Sequence, residues 1–410
     1  MISDNVIASI DIGSAKIRTV IWNFSEENWR DFNVLWVWIS TSNAIRKGNI
    51  LDMEEFKNNL DKSLEEAEKM AWEQISGVYL SLNSSSMEVV TSKWIIAISW
   101  EEITEEDIDR VLDMAKNWVD LPNKEILKVI PEYFVVDLED GVRNPTGMSA
   151  RKLEVVANIF SINKNILGNI TKAVADVWIE IYDIFPNLLA SPEWVLTKRQ
   201  KELWVVCIDI GASTTWVTIY EEWVLKFSSI IPIGWDSVTN DIALWVRTSI
   251  DVAEKLKLDY SQLSLEDDKR NDKKISLNDL NKTEDGEVST VYLSKIVTAR
   301  YEEILTFVRN ELRMVWKDGM LPEWAILVGW GSKQKGLLEL TKEVLKLPAF
   351  VWIPVEKESL TETSISDPVF SAVIWSMILA NKYSSGSKGF SINISGFFTS
   401  IVKVFKKILP

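Results

Sequence analysis

Two short stretches of this chain carry the residue types that grip phosphate. Asp11-Ile-Gly13-Ser14-Ala-Lys16 sits in "VIASIDIGSAKIRTVIW", and Asp209-Ile-Gly211-Ala212-Ser213-Thr214-Thr215 sits in "LWVVCIDIGASTTWVTIY". Glycine lets main-chain N–H groups point at phosphate oxygens. Ser14, Ser213, Thr214 and Thr215 add hydroxyl donors, and Lys16 adds a cation. Asp11 and Asp209 can hold Mg2+ through water, because that ion keeps several of its waters. One Asp-Ile-Gly turn says little; two at matching places in the chain describe a clamp on a polyphosphate. A third piece is "AILVGWGSK", an apolar strand running into Gly329-Trp330-Gly331-Ser332, where a ligand could lie on the backbone. Gly234 and Asp236 flank Trp235 in "IIPIGWDS", another bend where the backbone must pass close to something. A fourth piece is Glu254 and Lys257 in "DVAEKLKL". That spacing puts a carboxylate and an ammonium on one helix face, able to grip a nucleoside or to form a plain surface pair.

The elements that position these residues repeat. The N-terminal segment reads strand, turn, strand, with the hairpin turn around residues 11–16. "DMEEFKNNLDKSLEEAEKMAW" reads as a helix and "QISGVYLSLN" as a strand. At about residue 203 the pattern restarts, so an internal duplication into two similar α/β halves is expected. Residues 84–160 differ in texture and read as an inserted α+β subdomain. It holds a helix capped by Thr104 in a Thr-x-x-Asp box and strands on either side of Asn144-Pro145. "NKNILGNITKAVADVW" reads as a helix, and "IEIYDIFPNLLA" as a strand with a turn. Residues 256–290 are charge-rich and read as a solvated surface.

Composition narrows the function classes. A net charge of −15 argues against a nucleic-acid binder. The chain has no histidine, which excludes Ser-His-Asp and Cys-His triads and His-ligated zinc. The single cysteine, Cys207, lies in an apolar run and cannot form an internal disulfide, in keeping with a reducing compartment. No signal peptide is visible and no apolar stretch reaches the ~18 residues of a membrane span, so a cytoplasmic location is expected. The chain holds 20 Trp and only 16 Gly. Ordinary glycine usage of ~7% would give roughly 29. Several tryptophans stand at bends that ask for glycine, Trp216, Trp235 and Trp330 among them. A UGA codon read as Trp in one genetic code and as Gly in another would produce this pattern.

The C-terminal segment "FFTSIVKVFKKILP" follows a Ser/Gly-rich stretch. Wound at ~100° per residue, it gathers Phe397, Phe398, Ile401, Val402, Val404, Phe405, Ile408 and Leu409 on one side. Lys403, Lys406 and Lys407 fall on the other. That is a basic amphipathic helix on a flexible tether, suited to lie in an anionic membrane surface, each lysine contributing ~1 kcal/mol.

These pieces, in this order, resemble the actin-like ATPase superfamily. Asp11–Lys16 looks like its first phosphate loop, Asp209–Thr215 like its second and Val328–Ser332 like its adenosine loop. Within the superfamily the chain is similar to the FtsA family of bacterial cell-division proteins. The matching stretches include "ISTSNAIRKGNI" (39–50), "EEITEEDIDRVL" (101–112), "ILKVIPEYFVVD" (126–137), "NPTGMSARKLEV" (144–155), "IPIGWDSVTNDIALWVRTSIDVAEKLK" (231–257) and "ISDPVFSAVIW" (365–375). Family members read glycine where this chain has Trp38, Trp216, Trp235, Trp245, Trp324, Trp330 and Trp375.

The resemblance implies a duplicated two-lobe, ribonuclease H-like α/β fold with an α+β insertion. Residues 1–83 and 161–198 would form the first actin-like subdomain, 84–160 the insertion, 199–240 and 320–383 the second actin-like subdomain, and 241–319 a further one. A linker at 384–396 and the membrane helix at 397–410 would follow. The implied cofactors are ATP and Mg2+, bound by Asp11, Gly13, Ser14, Lys16, Gly211, Ala212, Ser213, Thr214, Thr215, Gly234, Asp236, Glu254, Lys257, Gly329, Trp330, Gly331 and Ser332. With no histidine available, activation of water in a slow hydrolysis would fall to a carboxylate such as Asp209, or to positioning alone. Self-assembly into filaments on the inner face of the membrane at the division site is implied. So are binding of the C-terminal tail of the tubulin-like protein FtsZ and contact with other division proteins. In relatives that tail docks on the subdomain holding residues 241–319, where Arg300 offers a cation to an acidic peptide. The alternatives are an actin-like scaffold of a pilus or secretion machine, against which the C-terminal helix and the "GWDSVTNDIA" stretch speak, and a sugar kinase, which would have a deep sugar pocket and no membrane helix.

Overall fold

A computed structural model describes residues 6–24, 32–42, 44–72, 74–75, 77–99, 102–263, 272–315, 324–352, 373 and 376. The C-terminal tether and helix, and the stretch around 365–375 apart from residue 373, lie outside the described residues. The chain divides into two compact units: a larger one made of 1–89, 121–127 and 160–378, and a smaller one that includes 90–120 and 128–159.

The larger unit opens with strands β1 (Val6–Ile12), β2 (Lys16–Phe24) and β3 (Phe32–Thr41), then the two-residue pair β4 (Ile45–Arg46) and β5 (Asn49–Ile50). Helix α1 (Met53–Ala71) is capped by Asp52, whose side chain accepts from Glu55 N. It buries Phe56, Leu60, Leu64 and Ala67, the i, i+4 stripe expected of a helix packed on a sheet. Strand β6 (Gly77–Leu82) follows.

The smaller unit is built on β7 (Glu88–Ala97), α2 (Glu105–Trp118), β8 (Lys124–Val136), β9 (Glu139–Val142) and β10 (Lys152–Asn163), with sheet order β7-β10-β8-β9. The expected Thr104 capping box is present in full, with Asp107 returning the hydrogen bond to the cap. Ser92 Oγ on β7 donates to Ala115 O on α2 at 2.9 Å, tying the helix to the sheet.

The larger unit resumes with α3 (Lys164–Asp176), β11 (Glu180–Pro186), α4 (Asn187–Val195) and α5 (Lys198–Glu202). Helix α4 corrects the reading of this stretch as a strand and a turn. Pro186 sits at its N-cap in an extended conformation, a fixed φ that lets the chain leave a strand and enter a helix at once. Next come β12 (Val205–Ile210), β13 (Thr215–Glu221), β14 (Val224–Ile231), α6 (Trp235–Val246) and α7 (Ile250–Lys255), which runs into one π-helical turn at Leu256–Tyr260. Residues 274–289 form β15 (Lys274–Ser276), α8 (Leu277–Leu280) and β16 (Glu287–Ser289) rather than bare surface, because Ile275, Leu277 and Val288 are buried. The described chain closes with α9 (Thr290–Met314), β17 (Ala325–Val328), a 3₁₀ turn at Trp330–Lys333, α10 (Leu337–Leu345) and β18 (Ala349–Val351).

The duplication expected from the sequence is explicit in the sheets. One runs β3-β2-β1-β6-β11 and the other β14-β13-β12-β17-β18. In each, an antiparallel three-strand meander is followed by two strands parallel to the first. The phosphate-type turns close in the same way: Gly13 N donates to Lys16 O at 3.1 Å, and Gly211 N to Thr214 O at 2.9 Å. The turns are equal in length, and only the first hydroxyl moves by one position, from Ser14 to Ser213.

Candidate functional site

The two turns face one cavity. It is lined by Asp11, Gly13, Ser14, Lys16, Asp209, Gly211, Ala212, Ser213, Thr214, Gly329 and Trp330, all expected from the sequence, together with Ala15, Arg18, Asn83 and Asn187. Ser213 Oγ donates to Ser14 Oγ at 2.7 Å, linking the turns directly. Thr214 Oγ1 donates to Asn83 Oδ1 at 3.0 Å, and the Trp216 indole N–H donates to the same oxygen at 2.6 Å. Gly329 has φ 82°, and a Cβ there would collide with Asp209 Oδ1 and the Ile210 carbonyl. Only glycine lets β17 turn so tightly beside that carboxylate.

The two aspartates have different surroundings. Asp11 is buried, forms a salt bridge with Arg18, and accepts from Asn187 Nδ2 at 2.8 Å. Asp209 accepts from Ser191 Oγ at 3.1 Å. Burial raises its pKa to about 6, against a smaller lowering by that hydrogen bond. A carboxyl poised near neutrality can take or hold a proton. Burial also pushes the Cys207 thiol up, which makes it an inert core residue.

The remaining expected residues lie outside this cavity's lining. Thr215 is fully buried and its Oγ1 donates to Ile233 O at 2.8 Å. Gly234 caps α6 so closely against the second turn that a Cβ would overlap the Gly211 and Ala212 carbonyls. Asp236 N donates to Ala212 O at 2.7 Å. Burial raises the Asp236 carboxyl to about 6. Beside it, Lys257 is buried, pairs with Glu254 at 2.7 Å, and donates to Thr239 Oγ1 at 2.6 Å. Burial lowers its pKa to about 8, with Glu254 opposing. Glu254 and Lys257 are thus a built, partly desolvated pair rather than a surface pair. Ser332 Oγ donates to Gly329 O at 2.7 Å, and Tyr301 OH donates to Gly331 O at 2.9 Å; both brace the 3₁₀ turn.

Sequence reading missed Arg18, Asn83, Asn187, Ser191 and Thr239. Arg18 was the most accessible of these: it follows Lys16 by two residues on a strand and so shares its face. Asn83 and Asn187 follow the C-terminal ends of β6 and β11, where open α/β sheets place ligand groups.

The donors suit a polyphosphate: two glycine turns, the hydroxyls of Ser14, Ser213 and Thr214, and the Lys16 ammonium. Among the described residues no cluster of three or more Asp, Glu, His or Cys could cage a metal. Asp11 and Asp209 are enough for Mg2+ only if phosphates and waters complete its shell. The volume does not suit a nucleotide. The cavity measures about 60 Å³, against the ~300–1,000 Å³ of small-molecule pockets. The Trp330 indole stands at its wall, with Lys16 Nζ 4.0 Å and Lys333 Nζ 4.8 Å from the ring centre. The Trp330 ring takes up space that a nucleoside triphosphate would need here.

A second concavity, of about 550 Å³, lies between α6 and α9 and is lined by Asp241, Trp245, Tyr292, Lys295, Ile296, Ala299, Arg300 and Glu303. Arg300 is held by both Asp241 oxygens, its Nη2 at 2.8 Å from Oδ1, and by Glu303.

The architecture is that of the actin-like ATPases. A chain of the PilM-PilN type IV pilus biogenesis complex superposes with a TM-score of 0.67 at 12% identity, covering 92% of this chain and 98% of that one. MreB5 of Spiroplasma citri, in a structure bound to ADP, superposes at 0.54 and 12% identity over 93% and 98% of the two chains. In sequence, a profile described as cell division protein FtsA matches residues 206–374, and one described as the SHS2 domain inserted in FtsA matches 84–161. The FtsA of Buchnera aphidicola subsp. Acyrthosiphon pisum is 30% identical over 378 residues, 90% of this chain and 89% of that protein. That of Pseudomonas aeruginosa is 29% identical over 394 residues, covering 96% and 93%. This chain belongs to the FtsA family of cell-division proteins.

Proposed function

We propose that this protein is a nucleotide-switched assembly protein of the division ring. It binds ATP with Mg2+ between the two phosphate turns, forms actin-like filaments, and carries FtsZ to the inner face of the membrane. The observation that carries the nucleotide part is the meeting of the two turns at one cavity, with Ser213 bonded to Ser14 at 2.7 Å and an aspartate behind each turn. Asp209, whose pKa burial raises to about 6, is the carboxyl we assign to accept a proton from water in the cleft. Glu254 and Lys257, with Asp236, supply the polar groups on the nucleoside side.

The groove between α6 and α9 supports the FtsZ part. Trp245 and Tyr292 are exposed there, and Lys295 lines it. Arg300 is committed to Asp241 and Glu303, so its role is to shape the groove. The C-terminal residues Phe397, Phe398, Ile401, Val402, Lys403, Phe405, Lys406, Lys407, Ile408 and Leu409 supply the membrane part by their sequence pattern. Among the described residues no helix is long and apolar enough to cross a membrane. The likeness to a pilus protein shows fold alone at 12% identity and adds nothing to the pilus-scaffold alternative.

Fluorescence anisotropy with a labelled FtsZ C-terminal-tail peptide tests the partner. Binding that weakens in Lys295→Glu is expected; no binding by the intact protein would remove FtsZ from the reading. Sedimentation with anionic vesicles tests the anchor. Deletion of 392–410 should abolish co-sedimentation, and undiminished co-sedimentation would rule the anchor out.

A further inference from the structure

The described structure holds nine non-glycine residues with positive φ, and three of them are tryptophans: Trp72 at 57°, Trp178 at 63° and Trp223 at 71°. Tryptophan makes up 20 of 410 residues, so chance would place fewer than one there. Each of the three stands where backbone geometry asks for glycine. Trp72 is the left-handed residue that ends α1, the position at which helices most often carry glycine. Trp178 follows α3 in the same way. Trp223 is the second residue of a two-residue hairpin: Glu221 pairs with Val224, and Glu222 and Trp223 both have positive φ, 49° and 71°. Such a turn selects Asn-Gly or Asp-Gly. The Trp72 and Trp178 indoles are 92% and 94% exposed, so no packing compensates for the conformation.

Several partly buried tryptophans are poorly accommodated too. The indole N–H groups of Trp36, Trp38, Trp94 and Trp330 are enclosed with no hydrogen-bond acceptor, whereas a buried tryptophan ordinarily finds one. Two of the rings stand against cations expected to serve the ligand. Lys16 lies 4.0 Å from the Trp330 ring centre, and Lys257 lies 4.0 Å from that of Trp235. Backbone strain, exposure, orphaned N–H groups and a filled cleft are separate faults, and glycine removes every one of them.

We propose that the functional polypeptide carries glycine at 72, 178, 223, 235 and 330, its source cell reading as glycine a codon written here as tryptophan, and that residue 330 decides whether the cleft admits a nucleotide. At 72, 178 and 223 the inference stands on backbone conformation alone. At 235 and 330, where φ is not positive, it rests on the ring contacts and on the nucleotide reading. With glycine at 330, residues 329–331 become a bare backbone loop beside the two turns.

Three measurements test this. Peptide masses of the protein isolated from its source cells, set against the gene's codons, should show glycine at 72, 178 and 223, each encoded by UGA. Tryptophan masses or UGG codons there overturn the recoding. Separately, a fluorescent ATP analogue with Mg2+ is titrated into the chain as written and into its Trp330→Gly variant. Binding should be roughly tenfold tighter in the variant. Equal affinity of two binding proteins overturns the gating role of residue 330. Glycine masses together with an intact native protein that takes up no ATP would leave the recoding standing and remove the nucleotide from the proposed function. A rise in Tm for Trp72→Gly and Trp223→Gly, read by calorimetry, checks the strain argument without any ligand; a fall in both contradicts it.

Discussion

The first and second copies of the strand–turn–strand unit place an aspartate at the same register and surround it with opposite chemistry. Across the first hairpin Asp11 faces Arg18; across the second Asp209 faces Trp216. The arginine neutralises Asp11, and Asn187 takes its other oxygen. Asp209 has no such cation opposite, and burial lifts its pKa to about 6. One fold position thus holds an ion-paired carboxylate in one copy and, in the other, a carboxyl whose pKa burial raises. The duplicated backbone supplies the location, and the cross-strand neighbour decides the role.

The largest effect should follow from breaking the first pair. Arg18→Met leaves Asp11 buried beside the cleft without its counter-ion, at a cost of ~3–5 kcal/mol. Urea unfolding would measure it, and a loss under ~1 kcal/mol would show that the ion pair does not distinguish the copies.

Asp209→Asn should act in the other direction. The folded pKa lies above the unfolded value of ~3.9. Below about pH 4 both states hold the proton and the substitution is neutral. Between pH 4 and 6 the unfolded chain ionises first, so the parent loses stability as pH rises. Above about pH 6 the variant should be more stable by roughly 2 kcal/mol, discounted for the partial exposure of Asp209. Thermal unfolding at pH 4 and 7.5 would check both the sign and the window.

Transplanting the counter-ion sharpens the comparison further. Trp216→Arg should draw the Asp209 pKa down by about one unit or more, ~1.4 kcal/mol. Carbon NMR of the aspartate carboxyl would read it, and an unchanged midpoint would mean that the cross-strand partner is not the deciding group. The smallest effect concerns the link between the turns. A double-mutant cycle on Ser14→Ala and Ser213→Ala should give a coupling of about 1 kcal/mol, and additivity would show that the turns meet without holding each other.

Much of this was legible in the chain because the signals are local. Hairpin turns announce themselves by Asp-Ile-Gly between β-branched runs, and Thr104 with Asp107 announces α2, since a capping box needs only three residues of separation. Helix α4 was not legible, because "PNLLA" continues an apolar strand and only the packing around it selects a helix. The short β15–β16 hairpin was hidden among charges, because Ile275 and Val288 are too few to set a period. Asn83 and Asn187 were invisible for a different reason. Each lies far along the chain from the turns it serves, and only the parallel order β1-β6-β11 brings both asparagines to one end of the sheet.

The sequence by itself determined the duplication, the two phosphate-type turns, the inserted α+β unit and the excess of tryptophan over glycine, since all of these are matters of residue type and short spacing; that the strained tryptophans are 72, 178 and 223, rather than 216, 235 and 330, came from the backbone. Tertiary structure alone decided which aspartate is ion-paired and which has its pKa raised by burial, and that Lys257 is buried against Glu254. Those outcomes depend on desolvation and on cross-strand or cross-sheet neighbours, and burial is a property of the folded whole that no local stretch of chain encodes.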